Sequence, residues 1–254
     1  MSPKVHQTKD GSSTLYSEKF EQYYHNPNGA ASESVYVFFE QSGLISFLET
    51  TDTLTVLEVG FGTGLNFLLL LDILKKHNLH IPVRFYSIEA FPITVETARS
   101  IDFKEHLSDP GLNELLPSIF SDLNPGMNII KPMKDLDVEL HLFFGTFDGF
   151  RAQECSADFI FHDAFSPEVN EELWDDKTFK KLSTYSHSET VLTTYCAASK
   201  ARGAMCAADW YVAKARGALG KREMTIASLS EEKLSGFKRV NEKRLAERYN
   251  KGDF

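Results

Sequence analysis

The 254-residue chain has 42% hydrophobic, 12% aromatic and 25% charged side chains, which fits an ordinary globular protein and excludes a collagen, a disordered tail or a disulfide scaffold. The formal charge of −9 is uneven: 13 basic and 7 acidic residues follow Ser199, leaving 14 and 29 before it, so a basic face on an acidic protein is expected. Three cysteines with no C-x-x-C pair, no apolar run near the ~18 residues of a membrane span and no apolar leader after Met1 predict a reduced, cytoplasmic setting without a membrane partner.

In chain order, residues 1–52 read as an N-terminal extension, with an aromatic-rich stretch from Tyr16 to Phe39 and a helix over 32–41. From Leu54 onward, short apolar runs alternate with helical stretches, the pattern of a mostly parallel sheet covered by helices. Strands are predicted over 53–59, 83–89, 139–144, 158–162, 190–195, 210–214 and 223–228, with helices over 65–77, 93–100, 170–182 and 199–208. Residues 101–135, rich in proline and glycine, read as a helical insertion, and 231–254 as a charged, partly helical tail of the same single domain. The gap between the last two strands is too short for a parallel crossover, which predicts an antiparallel hairpin.

The segment Glu58-Val59-Gly60-Phe61-Gly62-Thr63-Gly64-Leu65-Asn66-Phe67 runs from a buried strand through alternate glycines into a helix. Such glycines allow a tight turn and close backbone approach to a ligand beside free helix N–H groups. A dinucleotide fingerprint would require glycine at 65, where the chain has Leu65. An acidic residue followed by G-x-G-x-G instead resembles motif I of S-adenosylmethionine-dependent methyltransferases, whose ligand offers an ammonium to a nearby carboxylate such as Glu58. Glu89, ending the second strand, suits the two ribose hydroxyls. Local backbone capping by Glu58 and a solvated strand end at Glu89 are the alternatives.

The fourth strand ends His162-Asp163-Ala164-Phe165-Ser166-Pro167, where ligands of open α/β sheets bind. Asp163 and Phe165 sit as in the Asp/Asn-Pro-Pro-aromatic motif of amino methyltransferases, to which this turn is similar. A carboxylate there can orient an acceptor amine and take its proton. Capping or turn formation is the alternative for Asp163.

Over most of its length the chain resembles the methyltransferase half of the bacterial MnmC family of tRNA 5-methylaminomethyl-2-thiouridine biosynthesis proteins. The most specific pieces are Glu33-Ser34-Val35-Tyr36-Val37-Phe38, the glycine loop with Leu65-Asn66-Phe67, Ser87-Ile88-Glu89-Ala90-Phe91-Pro92, the Asp163 turn with Trp174, and Gly220-Lys221-Arg222-Glu223-Met224. The resemblance implies a seven-stranded Rossmann-like α/β fold in the order 3-2-1-4-5-7-6, with an antiparallel last strand. It implies S-adenosyl-L-methionine as methyl donor, no metal, and methylation of the aminomethyl group of a wobble uridine in tRNA. Cofactor contacts would fall to Glu58, Gly60, Phe61, Gly62, Gly64, Asn66, Glu89, Ala90, Gly145 and Asp163. Lys200, Arg202, Lys214, Arg216, Lys221 and Arg222 would contact tRNA phosphates, a solvated edge being the plain alternative. Bifunctional family members carry an FAD-dependent oxidase domain, so at 254 residues the expectation is a separate oxidase acting upstream. Where the family continues Gly-Asp, this chain has Gly145-Thr146, which leaves Asp148 as another candidate for the adenine. The rival functions are a methyltransferase or aminopropyl transferase of the same fold acting on a small-molecule amine, and a cofactor-binding module without catalysis.

Overall fold

The computed structural model describes residues 3–254. Twelve strands are present among them: β1 Lys4–Gln7, β2 Ser13–Ser17, β3 Gln22–Tyr23, β4 Leu54–Val59, β5 Val83–Glu89, β6 Gly126–Ile130, β7 Val138–Phe144, β8 Ala157–His162, β9 Ser186–Thr194, β10 Tyr211–Ala215, β11 Met224–Ser228 and β12 Lys238–Arg239. The α-helices are α1 Ala30–Ser34, α2 Leu44–Leu48, α3 Leu65–Lys76, α4 Val95–Ser100, α5 Leu115–Ser121, α6 Asp176–Ser183, α7 Ser199–Ala207 and α8 Glu242–Lys251.

Strands β4 to β12 form one sheet in the order β12-β10-β11-β9-β8-β4-β5-β7-β6. With the outermost β6 and β12 set aside, this is the predicted seven-stranded order. The central pairs β4–β5, β4–β8, β5–β7 and β8–β9 are parallel, while β11 is antiparallel to both β9 and β10. The two edge strands were not anticipated: β6 lies in the 101–135 segment, antiparallel to β7, and β12 in the C-terminal stretch, antiparallel to β10.

Alternation along the central strands divides the core between the two sheet faces. Val56, Phe85, Phe159 and Phe161 pack with Phe67 and Leu70 of α3 on one face. Leu57, Val59, Tyr86, Ile88 and Ile160 pack with Phe179, Met205 and Trp210 on the other. Both faces are covered, as a mainly parallel sheet requires.

The terminal regions are fastened to this body. α8 lies on α7, where Gly203 leaves room: a Cβ there would sit 2.9 Å from the Phe254 ring and 3.2 Å from the Leu245 carbonyl oxygen. At the other end, β1–β3 form a small antiparallel sheet, and the predicted 32–41 helix begins at Ala30 and continues as a π-helical turn over Val35–Glu40. Phe38 and Phe39 of that turn pack on Phe161, at ring-centroid distances of 5.0 and 5.5 Å.

Candidate active site

Strand register brings the sequence-predicted acids and glycines together. Val59 pairs with His162 on β8 and with Ile88 on β5, so the residues that follow each strand meet at one sheet end. Gly60 and Phe61 both donate backbone N–H bonds to Ile88 O, at 3.0 and 3.1 Å. Gly60 has φ +99, and a Cβ there would lie 2.7 Å from the Asp163 carbonyl oxygen, so both the turn and the close approach demand glycine. Gly62 N donates to Glu89 Oε2 and Phe91 N to Glu89 Oε1, each at 2.8 Å, which fixes the carboxylate across the loop mouth. Burial pushes the Glu89 carboxyl above its ordinary pKa, against the pull of these N–H donors.

A cavity of about 430 Å³ opens at this end, within the size range of small-molecule sites. Gly60, Gly62, Glu89, Ala90, Asp163 and Phe165 line it, together with Thr146 and Asp148. A second cavity of about 390 Å³ adjoins it and shares Tyr24, His25 and Asp163 with the first.

Several predicted contacts lie off the cavity wall. Glu58 is 1% exposed, with Ser87 Oγ donating to its Oε2 at 2.6 Å and Asn66 Nδ2 to its Oε1 at 3.0 Å. The same Asn66 amide donates to Asp163 Oδ2 at 3.0 Å, so one NH₂ group bridges two carboxyls. Glu58 and Asn66 thus stand behind the wall and hold Asp163 in place. Burial raises the Glu58 pKa to about 8. Burial first, and then the neighbouring Glu58, raise that of Asp163 well above the carboxylate range. The Phe61 ring turns into the core against Phe67 and Phe120, its centroid 6.5 and 5.6 Å from theirs. Gly64 packs under Leu116 and Phe61, and Gly145, at the end of β7, gives way on the cavity wall to Thr146.

The turn after β8 is held from three sides. Tyr195 Oη donates to Ala164 O at 2.8 Å, Trp174 Nε1 to Phe165 O at 2.7 Å, and Ser166 N to Gln22 Oε1 at 3.3 Å. Phe165 packs against Phe20 and Tyr24, with centroids 4.9 and 5.0 Å away. Phe20, Tyr24 and His25 close the site from the N-terminal extension, a wall that sequence reasoning missed. The aromatic density of 16–39 was its only signal. His25 Nε2 meets Thr63 Oγ1 at 2.8 Å, and burial lowers its pKa to about 4, which keeps the ring neutral near pH 7.

The six basic candidates separate by environment. Arg202 is 3% exposed, with Nε donating to Thr225 Oγ1 at 2.9 Å, Nη1 to Glu223 Oε2 at 2.9 Å and Nη2 to Met224 O at 3.1 Å. It is a buried clamp between α7 and β11 and has no free face for a phosphate. Lys214 donates to the other Glu223 oxygen at 3.0 Å, and Lys200 pairs with Glu171. Lys221 lines the second cavity and pairs with Glu33 at 2.7 Å, whereas Arg216 and Arg222 are exposed. Among the described residues no cluster of His, Cys, Asp and Glu is arranged to hold a metal ion, and no helix is long and apolar enough to cross a membrane.

A family model described as S-adenosyl-L-methionine-dependent methyltransferase matches residues 114–230. Over that stretch, just under half of its length, the chain is similar to that family. The methyltransferase is 32% identical over 227 residues to the tRNA 5-methylaminomethyl-2-thiouridine biosynthesis bifunctional protein MnmC of Delftia acidovorans, an alignment covering 87% of this chain and 34% of that protein. To the Marinomonas protein of the same name it is 30% identical, over 90% of this chain and 34% of the relative. The methyltransferase therefore spans about a third of the length of these curated relatives. In fold it matches the crystal structure of MNMC2 from Aquifex aeolicus with a TM-score of 0.76, at 23% identity over 98% of this chain and 76% of the other. The resemblance to the methyltransferase half of MnmC, read first from the motifs, thus extends along nearly the whole sequence.

Proposed function

We propose that the methyltransferase transfers a methyl group from S-adenosyl-L-methionine to the aminomethyl nitrogen of a modified wobble uridine in tRNA. The observation that carries this reading is the position of Asp163, on the wall of two adjoining cavities. One cavity suits a donor and the other an acceptor, with a proton-accepting group between them.

The first cavity fits the donor. Its floor is backbone, made accessible by Gly60 and Gly62, and a side chain at Gly60 would clash with Asp163. Each Glu89 oxygen accepts one backbone N–H and retains a lone-pair direction for a ribose hydroxyl. Thr146 and Asp148 flank the space left for the adenine. When bound, S-adenosyl-L-methionine supplies an electrophilic methyl on a sulfonium.

The chain's residues do the rest. Transfer forms an N–C bond as the S–C bond breaks, and the nitrogen must first lose a proton to expose its lone pair. Asp163, tethered by Asn66, takes that proton. Its elevated pKa brings it closer to that of an amine and so lessens the cost of the transfer. Phe165, Phe20 and Tyr24 enclose the reacting atoms in apolar surface and exclude water. Lys221, on the second cavity, and the exposed Arg216 and Arg222 supply phosphate contacts, and an FAD-dependent oxidase acting upstream, in the same cytoplasmic compartment, supplies the free amine.

The test is transfer of labelled methyl to tRNA bearing the free aminomethyl group, followed by nucleoside analysis. Label in the wobble nucleoside is expected. Label absent from that tRNA, or confined to small amines, would overturn the reading.

A further inference from the structure

The second cavity contains an ion pair between two distant segments of the chain. Glu33, on α1, and Lys221, in the turn between β10 and β11, are 188 residues apart and meet at 2.7 Å, with side chains 12% and 41% exposed. Both line the cavity beside Asp163. Glu33 Oε1 takes Lys221 Nζ and also the Asn26 Nδ2 amide, at 3.2 Å, while Oε2 accepts no hydrogen bond among the described residues. The Lys221 ammonium also lies 5.3 Å from the Tyr195 ring centroid, within cation–π range. An acidic group, an aromatic face and a second carboxyl nearby thus surround one primary ammonium. A long, half-exposed lysine is a mobile occupant of such a place, because its flexible stem and hydrated head exchange partners at low cost.

We propose that Glu33 and Tyr195 form the recognition site for the cationic aminomethyl group of the acceptor, and that Lys221 occupies this site as a stand-in until the acceptor arrives. This rests on the acceptor class proposed above. The incoming ammonium displaces Lys221 from Glu33, which frees the lysine for a phosphate oxygen of the same RNA. The exchange keeps the Glu33 charge neutralised throughout, so the half-buried carboxylate is never left bare. It also makes the site selective, since a neutral 5-substituent has nothing to offer Glu33 and cannot evict the lysine.

The test measures binding of two nucleosides to the full chain, 5-aminomethyl-2-thiouridine and the neutral 5-methyl-2-thiouridine, each with S-adenosylhomocysteine present. The wild type is expected to prefer the cationic nucleoside by about tenfold or more, the usual scale for a hydrogen bond to a charged group. Glu33→Gln removes this preference while leaving the neutral nucleoside and S-adenosylhomocysteine bound as before. Lys221→Met, which removes the competitor, tightens the cationic nucleoside several-fold and leaves the neutral one unchanged. A wild type without preference, a Glu33→Gln protein that weakens both nucleosides equally, or a Lys221→Met protein with unaltered affinity overturns the proposal. Methyl transfer to tRNA by a wild type that shows no preference defeats only this inference. Preference without any transfer to tRNA defeats the tRNA reading and keeps the amine site.

Discussion

The active site has two walls of different origin. One is made of strand ends and the turns that follow them: Gly60 and Gly62 after β4, Glu89 closing β5, Asp163 after β8. The other is folded over from the first forty residues, with Phe20, Tyr24, His25 and Glu33 delivered by a small sheet and the start of a helix. The first wall is set by register, since Val59 pairs with both Ile88 and His162 and its neighbours are placed to within one residue. The second is set by ring packing, such as Tyr24 and Phe20 against Phe165, which fixes position without prescribing a motif. The first cavity is thus bounded on one side by backbone geometry that few sequences satisfy, and on the other by side chains that can vary.

Substitutions on each wall sharpen this division. The largest effect is expected at Asp163, one of the three residues the two cavities share. Asp163→Asn should lower methyl transfer by about 10²–10⁴-fold while the Kd for S-adenosylhomocysteine changes little, as single-turnover assays and calorimetry would measure. Near-normal transfer would remove Asp163 from the chemistry. Gly60→Ala strikes the first wall alone. With φ +99 and a Cβ only 2.7 Å from the Asp163 carbonyl oxygen, it should cost about 1–3 kcal/mol in thermal stability and weaken donor binding. Tyr24→Ala addresses the second wall. Loss of its edge contact with Phe165 should reduce kcat/KM for the acceptor about tenfold, with a smaller change in donor affinity. A larger loss of donor than of acceptor binding would mean that the two walls are not separate.

The smallest effect is expected behind the wall. Burial raises the Glu58 pKa to about 8 from an ordinary 4.5, so the folded state holds a proton that the unfolded chain has released. The stability this contributes is fully present below about pH 4.5 and lost as the pH rises through about 8. Glu58→Gln should flatten that decline in melting temperature across the interval, as melts at pH 5, 7 and 9 would reveal. An unchanged slope would assign the decline to other groups.

What was legible in the sequence follows the same division. The central strands, the last hairpin and the glycine turn could be read because each carries a local constraint: apolar runs, a gap too short for a crossover, and alternate glycines; the strand order came from the family resemblance. Gly60, Gly62, Glu89, Ala90, Asp163 and Phe165 do meet on one cavity. Phe61 and Asn66 belong to the same motif but face the core and the Glu58–Asp163 bridge, because motif membership does not say which way a side chain points. Arg202 was misread for a related reason: a tally of basic residues cannot see burial, and this guanidinium is consumed by Glu223, Thr225 and Met224. The predicted 170–182 helix begins only at Asp176, because Asp175 caps it, its Oδ1 accepting from Thr178 N at 2.7 Å. The preceding residues form a tight turn whose Trp174 anchors Phe165. The edge strand β6 was overlooked although Met127-Asn128-Ile129-Ile130 follows a Pro-Gly turn, since four residues beside prolines make a weak signal.

The contact between Glu33 and Lys221 also has a consequence for biosynthesis. As the polypeptide leaves the ribosome, everything needed to shape the donor turn, β4 through Asp163, emerges well before the β10–β11 turn. The opposite chamber gains its last side only when residue 221 becomes available to reach back to residue 33. Under the proposed function, the turn facing the methyl donor is thus encoded ahead of the contact that completes the acceptor chamber.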